Sequence, residues 1–203
     1  MKRFFDILFS FFGIIFLLPV IFFISIAIVA DSKGGIFYKQ VRVGKNGKDF
    51  KLLKFRSMTS GSDKKGLLTV GNNDSRITKV GAFIRKFKLD EIPQLFNVFK
   101  GEMSFVGPRP EVRKYVDLYT QVQAKILSVL PGITDYASIE YSDENKLLAL
   151  SSEPEKLYIE KIMPDKILLN MKYINSPTIK EYFKIIFLTV FKIFGFEPTN
   201  NSK

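Results

Sequence analysis

The chain of 203 residues contains neither cysteine nor histidine. Without cysteine there are no disulfides, thiolate zinc sites or thiol nucleophiles. Without histidine, acid–base, nucleophilic and metal chemistry falls to carboxylates, lysine, tyrosine, serine and threonine. Acid is also in short supply: 20 Asp and Glu stand against 31 Lys and Arg, a net charge of +11. The partners this suggests are anionic, namely nucleic acid, phosphorylated small molecules or an acidic membrane surface. There is no internal repeat and no low-complexity tract. Apolar mass is plentiful, at 46% hydrophobic with 21 Phe. The length suits one domain with appendages.

The stretch from Ile7 to Ala30, "ILFSFFGIIFLLPVIFFISIAIVA", carries no charge. It is long enough to cross a bilayer as a helix. Three readings compete: a cleaved signal peptide, a simple spanning anchor, and a helix–break–helix that enters and leaves on one face. The run is too long for a signal peptide and lacks a small-x-small cleavage pair. Pro19, in the middle, frees a backbone carbonyl and bends a helix. Lys2 and Arg3 precede the run; Lys33, Lys39, Arg42 and Lys45 follow it. Positive residues on both flanks suit two cytoplasmic ends.

Downstream, "IFYKQVRVGKNGKDFKLLKFRSM" reads as two short strands about an Asn46–Gly47 turn. Its many cations read as a solvated or lipid-facing surface. Thr59 to Arg76 is rich in Gly, Ser, Asn and Asp and reads as a long loop, either a mobile lid or a disordered segment. Ile77, Val80, Ile84 and Phe87 then share one helical face, with Asp74 or Ser75 as the cap. A second helix starts between Asp90 and Pro93 and stops at Gly101. "EMSFVG" is a short strand, and "GPRP" a stiff turn that fixes Arg109. Glu111 to Leu130 reads as one helix. Glu153 to Ile174 reads as another, with a break at Pro164. In "TIKEYFKIIFLTVFKIFGF", Lys180, Lys184 and Lys192 fall on one stripe and the aromatics on the other. That pattern fits a core helix, or one lying in a membrane interface.

The chemistry concentrates in "FKLDEIPQLFNVFKGEMSFVGPRP". Asp90 and Glu91 sit together at a helix start, where Asp caps and Glu suits the first turn for purely structural reasons. Here the pair is surrounded by Arg85, Lys86, Lys88 and Arg109. Carboxylates alone repel phosphate, and a bound divalent cation reverses the sign. Hard cations such as Mg²⁺ take oxygen ligands. An acidic pair, cations and a helix start together point to metal-assisted phosphoryl chemistry.

These residues carry a family resemblance. The proline-interrupted apolar segment, "FKLLKFRSM", "RKFKLDEIPQLFNVFKGEMSFVGPRP" and "PGIT" follow in order over about two-thirds of the chain. Together they resemble the bacterial sugar transferase family in its small monotopic form, the polyprenyl-phosphate phosphoglycosyl transferases. The resemblance implies transfer of a sugar 1-phosphate from a UDP-sugar to undecaprenyl phosphate, with Mg²⁺ and release of UMP. It implies that Asp90 is the nucleophile of a covalent phosphosugar intermediate and, with Glu91, a metal ligand. It implies that Lys54, Arg85 and Arg109 hold phosphates, Arg109 being stiffened by Pro108 and Pro110. It implies a re-entrant membrane segment broken at Leu18 and Pro19, on the cytoplasmic face of the bacterial inner membrane. The expected fold is α+β: a small cytoplasmic domain of helices with a short β-hairpin, anchored by the re-entrant segment and interfacial amphipathic helices. The expected division is 1–32 membrane segment, 33–176 catalytic domain and 177–203 interfacial helix and tail. Partners are then the UDP-sugar, the polyprenyl phosphate and membrane lipid, with a homodimer as a further candidate and no nucleic acid.

Two departures stand out. Many members have Ser before the break proline where this chain has Leu18. Many follow "PGIT" with Gly and an Asn-Gly-Arg-Asn loop, where this chain reads "PGITDYASIEYSDENKLL". Asp135, Asp143, Glu144 and Asn145 are candidate contacts there; the alternative is a solvated acidic loop. Two other functions remain open on the residues alone. One is a metal-dependent phosphohydrolase of lipid pyrophosphates. The other is a non-enzymatic basic scaffold at the membrane, with salt-dependent binding indifferent to Asp90.

Overall fold

A computed structural model describes residues 1–62, 74–193 and 195. It is an α+β arrangement of short elements laid against one long helix. That helix, α1 (Lys2–Asp31), runs uninterrupted through Pro19. The expected break at Leu18 and Pro19 is therefore not an interruption of helical structure. An apolar run with one proline and no second breaker stays helical on both sides, at the cost of the hydrogen bond that the proline nitrogen cannot donate.

α1 has two faces. Asp6, Ser10, Ile24 and Ile28 point inward and are buried, while Phe4, Phe12, Phe16, Phe22 and Phe23 are exposed, Phe16 to 85%. Both ends of α1 are fastened to the rest of the chain by polar groups. At the start, Arg3 donates to the carbonyls of Val98 and Phe99. Asp6 accepts from Ser104, from the Phe105 N–H and from the Tyr182 hydroxyl. At the end, buried Arg56 donates to the carbonyls of Ile28, Ser32 and Lys33. Ser32 and Lys33 lie just past the helix end, where carbonyls lack intrahelical donors, and the Ile28 carbonyl also accepts the Ser32 N–H. Asp31 in return accepts the Val80 N–H at 3.0 Å.

Strands β1 (Phe37–Val43) and β2 (Asp49–Phe55) form the expected antiparallel hairpin, in a register that pairs Phe37 with Phe55 and Val43 with Asp49. The turn holds Asn46 at φ 58° and Gly47 at φ 72°, conformations that favour these two residue types. Helix α2 (Lys79–Lys86) is capped by Thr78, whose hydroxyl accepts the Gly81 N–H at 2.9 Å. Neither Asp74 nor Ser75 caps it: Asp74 is taken by Arg76, two residues on. Residues 63–73, most of the expected lid loop, lie outside the described residues.

A 3₁₀ turn (Leu89–Glu91) leads into α3 (Gln94–Lys100), which ends on Gly101 at φ 90°. Strand β3 (Ser104–Val106) pairs in parallel with β4 (Gly132–Thr134), a pairing the sequence pattern does not announce. At their ends Gly107 and Gly132 touch backbone to backbone. A Cβ on Gly132 would stand 2.1 Å from the Gly107 nitrogen, so no side chain fits.

The single helix expected over Glu111–Leu130 is instead α4 (Arg113–Val116) followed by a 3₁₀ segment (Gln123–Ser128). Glu111 is held extended, because its carbonyl accepts the Val43 N–H at 2.8 Å. Thr120 and Gln123 then bond reciprocally and start a new turn. Helices α5 (Tyr136–Glu140) and α6 (Glu144–Ala149) precede a long helical run. That run is α7 (Pro154–Leu157), a π turn (Tyr158–Ile162) and α8 (Met163–Asn175). The helix does not break at Pro164: the wider turn just before it accommodates a ring without an N–H. Helix α9 (Ile179–Ile193) buries Tyr182 and Ile185 against Val106 and Tyr173 and exposes Phe187, Val190 and Phe191.

Candidate active site

Three segments meet around the acidic pair: β2, the turn between α2 and α3, and the loop after β3. β2 brings Lys54, the turn brings Asp90 and Glu91, and the loop brings Arg109. Glu91 is the hub. Its Oε1 accepts from Lys54 at 3.2 Å and from one Arg109 nitrogen, and its Oε2 accepts from the other at 3.4 Å. Burial alone would raise the Glu91 pKa, but the charges of Arg109 and Lys54 outweigh it and hold this carboxyl well below the usual range. Glu91 raises the Arg109 pKa further, against burial. For Lys54 burial outweighs the attraction and lowers its pKa, so Arg109 is the principal partner of Glu91.

Asp90 differs from its neighbour. It is only 6% exposed. Among the described residues its carboxylate accepts no hydrogen bond and joins no ion pair. Burial raises its pKa above the ordinary value, opposed by Lys54 and reinforced by Glu91. A buried carboxylate without partners is costly to the fold. It is also more basic and less solvated than a surface one, which is what a nucleophile needs. Arg85, half-buried on α2, adds positive charge that favours the ionised form.

Arg109 is stiff for more reasons than its neighbours. Pro108 and Pro110 are both buried. The Pro108 carbonyl accepts the Gly132 N–H at 3.0 Å, and the Pro110 carbonyl accepts from Arg42 at 3.0 Å. Arg42 also faces Glu111 at 3.6 Å. Asp135, 2% exposed, accepts the Arg109 backbone N–H at 2.7 Å, caps α5 through the Ser138 N–H, and accepts from Asn170 at 3.1 Å. It is neither a solvated loop residue nor a side chain open to a ligand. Asp143 pairs with Lys146 at the surface and Asn145 is exposed, but Glu144 and Asn145 belong to α6 rather than to a loop, and Glu144 pairs with Lys166 in partly buried surroundings. Leu18 and Pro19 are exposed on α1 and take no part in these contacts.

Sequence reasoning missed Asn97, Asp135 and Arg42 as supports. Asn97 is buried and ties α3 to β2: it accepts the Leu53 N–H at 2.9 Å and donates to the Lys51 carbonyl and to Glu102. A lone Asn within an apolar helix run was its only signal. Asp135 stands out in the sequence by its place after "PGIT", but its buried role depends on the parallel strand pair.

Among the described residues, no group of three or more acidic side chains gathers to cage a metal. Mg²⁺ is usually held by one or two carboxylates together with substrate phosphates. The donors present fit that mode. Asp90 is unengaged, and Glu91 Oε2 receives only one long contact, so both keep lone pairs for a hard cation.

A family model described as bacterial sugar transferase matches residues 1–196. An uncharacterised sugar transferase of Bacillus subtilis, EpsL, is 40% identical, covering 99% of this chain and 92% of its own. A UDP-glucose:undecaprenyl-phosphate glucose-1-phosphate transferase of Klebsiella pneumoniae is also 40% identical, over 95% of this chain and 40% of its own. A UDP-N-acetylgalactosamine-undecaprenyl-phosphate N-acetylgalactosaminephosphotransferase of Aeromonas hydrophila is 40% identical over 68% of this chain and 33% of its own. The chain thus spans less than half of these last two relatives.

Proposed function

The chain belongs to the bacterial sugar transferase family, and from that premise we propose that it transfers a sugar 1-phosphate from a UDP-sugar to undecaprenyl phosphate through an Asp90-bound intermediate. The observation that carries this reading is the contrast inside the acidic pair. Glu91 is paired with Lys54 and Arg109, while Asp90 beside it is buried and, among the described residues, takes no hydrogen bond or ion pair.

The steps follow from that contrast. An Asp90 oxygen attacks the sugar-bearing phosphorus of the UDP-sugar, and the bond from that phosphorus to the UMP oxygen breaks. UMP leaves, and the sugar phosphate remains on Asp90 as an acyl phosphate. A lipid phosphate oxygen then attacks the same phosphorus. The Asp90–phosphorus bond breaks, giving the lipid diphosphate sugar and restoring the carboxylate. Splitting the transfer this way means that two polyanionic substrates need not meet. Arg109, Lys54 and Arg85 supply positive charge where phosphate oxygens gather, and the fixed Arg109 backbone means little reorganisation during reaction. Asp90 and Glu91 would hold Mg²⁺, which would neutralise diphosphate charge and stabilise the departing UMP oxygen.

In this reading α1 is a re-entrant anchor at the cytoplasmic face of the inner membrane. Two facts support it: both ends of α1 are tied to the same domain, and its outer face is apolar. A straight helix of 30 residues would extend about 45 Å, more than a bilayer's hydrocarbon core. A spanning anchor would carry one end out of reach of its partners.

The test is UMP release from a panel of UDP-sugars with Mg²⁺ and undecaprenyl phosphate, comparing wild type with Asp90→Asn. UMP from one donor, together with a sugar phosphate adduct on Asp90 by mass spectrometry, is the expected result. Free phosphate from a lipid pyrophosphate, with no UMP from any donor, would overturn it.

A further inference from the structure

Lys88 lies between α2 and the acidic pair with φ 57° and ψ 18°, the left-handed conformation. Its N–H donates to the Arg85 carbonyl and its own carbonyl accepts the Glu91 N–H, both at 3.2 Å. The position just past a helix end in this conformation belongs by preference to Gly or Asn. A lysine there sacrifices stability for its side chain. Such an outlier beside a reactive group points from strain to function.

The side chain is exposed, and among the described residues its ammonium takes no hydrogen bond or ion pair. Lys54 and Arg109 are committed to Glu91; Lys88 is not. Its charge nevertheless acts on both Asp90 and Glu91.

Its surroundings indicate which phosphate it meets. One face of α2 packs Val80 and Ile84 onto Ile24 and Ile28 of α1. The other exposes Phe83 and Phe87, rings 5.0 Å apart, immediately before Lys88. In the chain Lys88 stands between these exposed rings and Asp90, so a phosphate whose apolar tail lay against the rings would find this ammonium beside the acidic pair. A compact ammonium with three donors suits a terminal phosphate.

We propose that Lys88 binds the phosphate of the lipid acceptor, and not the diphosphate of the nucleotide sugar. This rests on the two-step transfer above, in which donor and acceptor are handled separately.

The experiment uses the full chain in nanodiscs, comparing wild type, Lys88→Gly and Lys88→Arg. Lys88→Gly should melt at or above the wild-type temperature, since glycine relieves the strain. Its UMP burst without acceptor should keep the wild-type amplitude, whatever the loss of a charge near Asp90 does to the rate. Its KM for undecaprenyl phosphate should rise at least about tenfold, the cost of a lost charged hydrogen bond, and Lys88→Arg should restore most of it. A raised donor KM, a smaller burst, or an unchanged acceptor KM overturns the assignment. A fall in vesicle association with the acceptor KM unchanged overturns it too, placing Lys88 on bulk headgroups. Retention of undecaprenyl phosphate over undecaprenol, read by lipid mass spectrometry, needs no turnover. Equal retention by wild type and Lys88→Gly overturns the assignment even if the reaction class proves different. Absence of UMP with every donor, by contrast, fails the reaction class alone.

Discussion

The Asp135 carboxylate and the Arg109 backbone N–H meet at 2.7 Å, so the residue that grips Glu91 is itself held by a second buried acid. Asp135→Ala removes that grip, the α5 cap and the acceptor for Asn170 together. It should cost about 2–3 kcal/mol in urea unfolding, the scale for losing a cap and leaving buried donors unpaired. Turnover should fall at least about tenfold, because Arg109 loses its fixed geometry. Asp135→Asn, which keeps one acceptor, should fall between.

Asp90→Asn should abolish turnover and the covalent adduct, yet make the protein more stable at neutral pH by about 1 kcal/mol, the usual scale when a strained functional residue is relieved. The sign follows from burial, which raises the folded-state pKa of Asp90. The folded protein then holds a proton more tightly than the unfolded chain. The stability cost of Asp90 therefore appears as pH rises above the unfolded value. Below about pH 3.9, the ordinary Asp pKa, both states are protonated and the gain should vanish. Melting curves of both proteins between pH 3.5 and 7.5 read this directly.

Arg109→Ala should lower kcat/KM by about a hundredfold or more, as loss of one transition-state donor does. Glu91 keeps Lys54, so the fold should survive. In wild type the Glu91 pKa is depressed, so its pairing stabilises at neutral pH and is lost as pH falls below about 4.3. The variant should start less stable at pH 7 and show a shallower further loss in acid. An acid limb as steep as wild type, by unfolding from pH 7 to 3, would show that Lys54 alone holds Glu91.

The lack of native cysteine makes topology simple to read. Single cysteines at positions 1 and 33 should both react with an impermeant thiol reagent in inverted vesicles and not in right-side-out cells. Pro19→Ala alone should leave that pattern unchanged, because Arg3 and Asp6 hold the start of α1 to the domain. Adding Arg3→Ala and Asp6→Ala should expose position 1 on the outer face. Exposure in Pro19→Ala by itself would mean that the proline, not the polar anchors, sets the topology.

Much of this was legible where local chemistry decides. The Asn46–Gly47 hairpin, the helix stop at Gly101, and the association of Lys54, Glu91 and Arg109 follow from turn chemistry and motif. What was not legible depends on distant partners. The stretch after Glu111 has helical periodicity, but Val43 claims its backbone and extends it. Pro164 looks like a break until a π turn absorbs it. Asp135 looks like a loop acid until β4 pairs with β3 and places it under Arg109. The family motif marks the candidate site; its buried supports, Asn97, Asp135 and Arg42, come from tertiary structure.

The β3–β4 pair also sets an order of events in time. Parallel strands cannot be closed by a tight turn, and here the chain travels from residue 107 to residue 131 before they meet. Contacts that close long loops form late in folding. Arg109 is settled only when Asp135, just beyond β4, reaches it. Asp6 of α1, meanwhile, bonds to Ser104 and Phe105 in β3 itself. Asp6 and Ser104 lie 98 residues apart, whereas Arg109 and Asp135 lie only 26 apart, so by the same rule the arginine is settled before the start of α1 is fastened. The long apolar helix is made first and clasped last, so the scaffold around Arg109 can assemble before the helix has found its final seat.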